Sequence, residues 1–288
     1  MPPSYVNNHP GDSEKINYWS IRAHRPGAMT SPGMPCAEDL RPFAKYAPHL
    51  RQAQNTSEKQ GLVVGATRQT VDWCRENGLR IAMMDFSEPF AQIIQSAHHD
   101  WEDLHIIIDD WLSSKEEDGS FCWAAGDCII AASGSGREAV RLFQQIRRLL
   151  IPGSLVILRN FIRPHPTPTG AEIFARLEAG GFGSFSAFRI QLLQSLQRSF
   201  MEGVPTREAC QLLARRGVLD KSHMERFSWS PAQLKALDSW EVEGVTLCYP
   251  TLDELRELAR PYFEELEIGY GDYEMAELCP TMVYRTRG

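Results

Sequence analysis

The sequence contains no apolar run of membrane-spanning length, so no bilayer-crossing helix is expected. The N-terminus is polar and Pro-rich and lacks the apolar core of a secretory signal. The seven cysteines are scattered, and none forms a Cys-x-x-Cys pair. An odd, dispersed set argues against a disulfide framework or a zinc site and for reduced thiols in a cytoplasm. His98-His99 and His105 have no cysteine or carboxylate cluster at ligand spacing, so no metal site is expected. Basic charge is in short supply: 30 Lys and Arg stand against 37 Asp and Glu, for a net charge of −7. That balance gives no support to binding a phosphate backbone. Ser133-Gly134-Ser135-Gly136 looks like a phosphate cradle, but no lysine follows at P-loop spacing. It reads instead as a flexible start to a helix. There is no internal repeat and no low-complexity segment.

What is present is ordinary globular material. Hydrophobic residues make up 43% and charged residues 23% of 288 positions, enough for one large domain or two small ones. The most informative stretch runs from Gln60 to Thr67. Its apolar part, 62–64, reads as a buried strand with Gly65 at its exit. A second buried strand, 81–84, ends in Asp85. A helix-like segment at 69–77 lies between them, and Gly78 can stop it. In such a β–α–β unit a carboxylate closing the second strand can accept both hydroxyl hydrogens of a ribose, and a glycine after the first lets a ligand approach backbone. The unit points to an adenosine-containing cofactor.

The alternation continues. A helix is expected over 88–98, with Ser87 as N-cap and Pro89 in the first turn. Strand three is 104–108, followed by Asp109-Asp110-Trp111. Strand four is 121–125, leaving through Gly126-Asp127. A helix over 137–150 closes at Pro152-Gly153, and strand five is 155–158. Short apolar strands separated by amphipathic helices imply a parallel sheet with helices on both faces. Two further helices are expected upstream, near 13–23 and 37–54. After strand five the alternation stops. Capping boxes at Thr169–Glu172 and Ser230–Gln233, and apolar spacing over 187–201 and 206–215, predict an inserted group of helices. Thr251-Leu252-Asp253-Glu254 restarts the core with a helix reaching 263. Segments 264–270 and 282–287 then read as a closing antiparallel pair.

In this ordered set the chain resembles the class I S-adenosylmethionine-dependent methyltransferases, over about 60–163 and again over 251–287. The resemblance rests on Gly65 after strand one, Asp85 after strand two, Asp110-Trp111 after strand three and Gly126-Asp127 after strand four. Leu149-Leu150-Ile151-Pro152-Gly153-Ser154-Leu155 adds the family's turn before strand five. It implies an α/β, Rossmann-like, mostly parallel seven-stranded sheet. The expected division is an N-terminal helical extension (1–58), a cofactor-binding core (59–168), a helical insertion covering the substrate (169–245) and the rest of the core (246–288).

The resemblance also implies roles. S-adenosylmethionine is the expected cofactor. Gly65, Ala66 and Thr67 would line its methionine part, Asp85 and Phe86 its ribose side, Asp110 and Trp111 its adenine, and Gly126 its sulfonium. Asp127 is the candidate catalytic residue, orienting an acceptor or taking its proton. Tyr18, with Trp19 beside it, would fold over the cofactor, since aromatic faces favour a sulfonium. His165 with Arg163 is a weaker candidate base or anchor. One departure is plain: where the family has an acidic residue and three glycines, this loop reads Val63-Val64-Gly65-Ala66-Thr67-Arg68. Arg68 is a candidate contact for a carboxylate there.

The function this implies is methyl transfer to a small molecule, with no nucleic-acid or membrane partner; oligomeric state is left open. No Asn-Pro-Pro-Tyr type motif follows strand four, which argues against base methylation. Alternatives are transfer of the aminocarboxypropyl group or cyclisation of the same cofactor, and a non-catalytic binding protein. A nicotinamide enzyme is weaker, because Gly-x-Gly-x-x-Gly is missing.

Overall fold

The computed structural model describes residues 12–23, 30–218, 226–227, 229–242 and 244–287. In chain order the elements are α1 (Asp12–Ala23), α2 (Arg41–Ser57), β1 (Gly61–Val64), α3 (Arg68–Glu76), β2 (Ile81–Asp85) and α4 (Glu88–Ala97). There follow β3 (Leu104–Ile108), β4 (Phe121–Asp127), α5 (Ile129–Ser133), α6 (Gly136–Leu149) and β5 (Leu150–Arg159). The inserted segment holds α7 (Gly170–Glu178), α8 (Phe185–Leu196), β6 (Val204–Pro205), α9 (Thr206–Arg215), α10 (Pro231–Lys235), a 3-10 turn (Ala236–Glu241) and β7 (Thr246–Leu247). Helix α11 (Leu252–Ala259), β8 (Phe263–Gly269) and β9 (Thr281–Thr286) complete the chain. No described helix is long and apolar enough to cross a membrane.

The main sheet has seven strands in the order β3-β2-β1-β4-β5-β9-β8. β1 pairs in parallel with β2 and with β4, and β5 pairs antiparallel with β9. This is the α/β Rossmann-like arrangement expected, with β9 antiparallel between β5 and the edge strand β8. β6 and β7 form a separate two-stranded ribbon.

The central strands are apolar on both faces because both faces are covered. Val63, Met83, Ala125 and Ile157 point into one core with Phe43, Leu50, Val71 and Trp73 from the helices of that side. Leu62, Ala82, Ala124 and Val156 point the other way, against Leu142, Phe143 and Ile146 of α6 and Leu255 of α11. At Gly61 any Cβ would overlap the Trp123 indole, so glycine lets that ring lie flat on the start of β1. A third core belongs to the inserted helices, with Phe174, Phe188, Trp229 and Trp240 among its members, and Tyr18 of α1 joins it.

Local signals account for most boundaries. Thr169 and Thr251 cap α7 and α11 through complete capping boxes, and Ser230 exchanges the same pair of bonds with Gln233. Ser135 caps α6 by accepting from Glu138 N. Four details differ from the sequence reading. α8 stops at Leu196, because Gln197 turns extended and its amide bonds both backbone groups of Tyr249. β5 begins at Leu150, and a bulge between Phe121 and Trp123 absorbs the Pro152-Gly153 turn within the strand pair. α11 ends at Ala259, since Phe263 is already paired in β8. Ser87 stands at the N-cap of α4 but makes no side-chain cap; its own N–H is drawn back to Asp85.

Candidate functional site

The strand order reverses at β1, which has β2 on one side and β4 on the other. Successive connections leave this point in opposite directions, opening a crevice at the C-terminal strand ends, where sheets of this type bind ligands. A cavity of about 440 Å³ lies there. Its floor is made by the ends of β1, β2 and β4, and its walls by α1, α4, α8, the 3-10 turn and the segment around Tyr249. The volume falls in the range of small-molecule sites.

Gly65 leaves β1 with φ +87°, a backbone state that favours glycine, and its N–H donates to Met84 O at 2.8 Å. Its Cα faces the Trp111 ring, which a Cβ would meet at 3.3 Å. Asp85 closes β2 and is buried. Oδ2 accepts from Ala66 N and Oδ1 from Ser87 N, each at 2.7 Å. Burial lifts this carboxyl to about 6, against the pull of the Ser87 and Ala66 N–H groups. Each oxygen keeps lone-pair capacity beyond its one backbone bond. The carboxylate therefore sits as a double acceptor on the cavity floor. Phe86 and Trp111 meet edge to face, with ring centroids 5.6 Å apart, and together make an apolar flank.

Asp110 lies elsewhere. It is exposed and closes the turn after β3, accepting from Leu112 N at 2.9 Å and from Ser113 Oγ at 3.0 Å. That turn presents Trp111 to the cavity, whereas Asp110 is not among the residues lining it. Gly126 is also off the lining: a Cβ there would press on Ile129 Cδ1 at 3.0 Å, so its role in the packing is to admit that side chain. His165 and Arg163 border a separate groove, where Arg163 pairs with Glu254 at 3.1 Å. Arg68 reaches the cavity rim and pairs with Asp72 at 3.4 Å. Ala66, Thr67, Tyr18 and Trp19 all line the cavity.

Asp127 ends β4 and opens on the cavity beside Cys128, which adopts φ +53° as it turns into α5. Arg159, its register partner on β5, donates from Nη1 to Asp127 Oδ1 at 2.8 Å. The same guanidinium pairs with Asp39 at 3.1 Å and donates to Pro32 O at 2.6 Å. Tyr273 OH donates to the second Asp39 oxygen at 2.5 Å. Burial opposes the Arg159 charge, yet the adjacent Asp127 carboxylate holds its pKa well above the ordinary value. Asp127 is thus a carboxylate fixed in direction by a buried cation.

Sequence reasoning did not single out Arg159, Asp39, Arg189, Trp240 or Tyr249. The first two meet across more than one hundred residues of chain and carry no local mark. Arg189 did carry a signal: it is the one charged residue of α8, in a run, Phe185–Gln194, that is buried throughout.

No family profile matches the sequence, and no curated protein matches it either. Solved structures do share the fold. A Rhodobacter sphaeroides protein provisionally described as a Zn-dependent alcohol dehydrogenase is similar at 15% identity and a TM-score of 0.63, covering 98% of this chain and 99% of that one. The 1,6-didemethyltoxoflavin-N1-methyltransferase of Burkholderia thailandensis, crystallised with 1,6-didemethyltoxoflavin and S-adenosylhomocysteine, is similar at 12% identity and a TM-score of 0.50. That match covers 100% of this chain and 95% of the other. At such identities the likeness establishes the fold. The chain has the Rossmann-like fold of class I S-adenosylmethionine-dependent methyltransferases, with the antiparallel strand β9 set between β5 and β8.

Proposed function

We propose that the protein is an S-adenosylmethionine-dependent methyltransferase acting on a small-molecule acceptor. The observation that carries this reading is Asp85, a buried carboxylate held by two backbone N–H groups at the topological switch point and facing the cavity. The residues fit the cofactor. Asp85 would accept the two ribose hydroxyls, Phe86 and Trp111 would flank the adenine, and Gly65, Ala66 and Thr67 would lie along the methionine part. Tyr18 would close over it from α1. Asp110 would serve by holding the turn that aims Trp111.

When bound, S-adenosylmethionine supplies an electrophilic methyl group on a sulfonium. The protein's part is alignment and exclusion of water, and positioning alone can carry much of such a displacement. The inserted helices would be the cover that excludes water, and the domain division expected from the sequence is kept on this reading. Asp127 would orient the acceptor by accepting its hydrogen bond, with Arg159 fixing the direction. His165 has no part in this reading, because it borders the other groove. Seven cysteines without a disulfide suit a cytoplasmic protein, and the acidic balance suits an acceptor other than a nucleic acid.

A second reaction on the same cofactor is favoured by one feature. The side chains of Thr67 and Gln69 stand where the family's Gly-x-Gly-x-Gly has its second and third glycines, and a reshaped methionine pocket could direct attack to another carbon. A zinc- or nicotinamide-dependent dehydrogenase is less well supported. Among the described residues no three His, Cys, Asp or Glu gather as a metal site, and the loop after β1 lacks the Gly-x-Gly-x-x-Gly of a dinucleotide site. Calorimetry with S-adenosylhomocysteine tests the cofactor: micromolar binding that Asp85→Ala weakens supports the reading, and no heat with either S-adenosyl compound removes it. Mass spectrometry of turnover products then separates the reactions, since methyl transfer leaves S-adenosylhomocysteine and the alternatives leave methylthioadenosine.

A further inference from the structure

One polar side chain on the cavity lining has no part in the reading above. Tyr249 is 2% exposed and lines the cavity. Among the described residues its hydroxyl has no hydrogen-bond partner, although both its backbone groups are bonded. A buried phenol ordinarily finds a partner, because an unmet hydroxyl costs free energy. Burial pushes the Tyr249 phenol up, so the group stays protonated and has a hydrogen to give.

The backbone that carries this ring is held from several sides. Tyr249 N–H donates to Gln197 Oε1 at 2.7 Å, and Gln197 Nε2 donates to Tyr249 O at 2.8 Å. Cys248, just before it, donates its N–H to Ala131 O of α5 at 3.1 Å. Pro250, just after it, accepts from Arg163 N at 2.8 Å. A donor fixed in this way needs no further ordering when a ligand arrives.

Asp127 supplies the complement. Arg159 Nη1 and the Cys128 thiol both donate to its Oδ1, at 2.8 and 3.2 Å. Among the described residues nothing donates to Oδ2, and the residue lines the same cavity. Helix α5, to which Cys248 is bonded, starts two residues after Asp127. The donor and the acceptor are thus fixed to one short helix. The surface near them is apolar, with Ile129, Ala132, Phe161 and Trp240 on the lining. A single neutral donor matches a carbonyl oxygen, whereas carboxylates and phosphates are matched by paired or charged donors.

We propose that Tyr249 recognises the acceptor molecule: its hydroxyl donates to a carbonyl oxygen, while Asp127 Oδ2 accepts from the nucleophilic N–H or O–H of the same molecule. The substrate class is then a small amide, lactam or ketone that also carries the group to be methylated. This rests on the methyltransferase reading and narrows its acceptor. It makes Tyr249 a specificity residue, since a site that bonds a substrate oxygen rejects the analogue lacking it.

The test is Tyr249→Phe, which removes one oxygen and keeps the ring. Without ligand, its melting temperature should equal or exceed that of the wild type, because no bond is lost. A clear fall would show that the hydroxyl is bonded within the protein, and overturns the proposal. The second measurement is calorimetry on the full chain saturated with S-adenosylhomocysteine. The probes are 4-hydroxyacetophenone beside 4-ethylphenol, and 3,4-dihydro-2-quinolinone beside 1,2,3,4-tetrahydroquinoline, with 4-hydroxybenzoate as the anionic control. In the wild type the carbonyl member of each pair should bind roughly tenfold more tightly, the scale of leaving a buried donor unmet. Tyr249→Phe should abolish that preference and leave S-adenosylhomocysteine affinity within a few-fold. Equal binding within the pairs, binding of none of the probes, or a preference that survives in Tyr249→Phe overturns the proposal. So does tighter binding of 4-hydroxybenzoate than of 4-hydroxyacetophenone, which would make the ligand an anion. Badly weakened S-adenosylhomocysteine binding in Tyr249→Phe also overturns it, giving the hydroxyl to the cofactor. Failure of S-adenosylhomocysteine to bind the wild-type protein is a different result: it removes the methyltransferase reading, and this assignment with it.

Discussion

Replacing Asp85 by Asn should change how stability and ligand affinity depend on pH. The carboxyl rises from an ordinary 3.8 to about 6 through burial. At about 1.4 kcal/mol for each pH unit, the ionised form costs the fold about 3 kcal/mol. The direction follows from linkage. A group whose pKa is raised on folding binds its proton more readily in the folded state, so its contribution is greatest below pH 4. It is lost as pH rises through 6, and above that the loss is constant. Asn carries no charge and cannot show this dependence. It also puts an NH2 where Ala66 N or Ser87 N now finds an oxygen, which costs roughly 1–3 kcal/mol at every pH. Urea unfolding of both proteins, without ligand, from pH 4 to pH 8 separates the two effects. The stability of the wild type relative to Asp85→Asn should fall by about 2 kcal/mol between pH 4 and pH 7.5, most of the full effect. Ligand binding should show the converse, because only the ionised carboxylate accepts two hydroxyls. S-adenosylhomocysteine affinity of the wild type should weaken about tenfold for each unit below pH 6. In Asp85→Asn it should be weaker throughout and nearly flat. Parallel stability curves would refute the claim that this carboxylate is strained by its burial.

Three further substitutions probe the surroundings. Asp127→Asn should lower turnover by roughly 10–150-fold, the scale of a lost hydrogen bond to a charged group, with S-adenosylhomocysteine affinity changed only a few-fold; weakened binding with normal turnover would make Asp127 a cofactor ligand. Arg159→Met should destabilise by about 3–5 kcal/mol in urea unfolding, because it leaves Asp39 and Asp127 buried without their cation; a loss below about 1 kcal/mol would mean the carboxylates are relieved by protonation or water. Gly61→Ala should lower the melting temperature through overpacking against Trp123, at a cost of roughly 1–3 kcal/mol; an unchanged melting temperature would show that the indole can move aside.

The fold was legible where the signal is local. Buried parallel strands are short apolar runs, and β1, β2 and β4 stand out because both their faces are covered. Thr169 and Thr251 mark their helices through side chains three residues apart. The limits of α8 and β5 were not legible, for a common reason. Gln197 leaves its helix to bond Tyr249, and the bulge opposite Pro152 depends on pairing with β4. Neither partner is near in sequence. The candidate site divides the same way. Asp85, Gly65 and Trp111 follow from their place at strand ends, and each reaches the cavity. Asp110 occupies the expected place in the chain, but its oxygens turn to the loop that follows. Arg22 and Arg189 line one cavity only because α1 and the insertion both face it.

The Arg159 guanidinium has a consequence for the order of assembly. Its acceptors include Pro32, Asp39 and Asp127, so one side chain ties β5 to the end of β4, 32 residues back, and to the 32–39 segment, 127 residues back at Pro32. Residues 32–39 leave the ribosome well before β5, yet their native bonds need that strand, made more than one hundred residues later. Closing so long a loop carries an entropic penalty that short-range helices do not meet. The 32–39 segment is therefore among the last parts to settle, and it settles onto a sheet already formed.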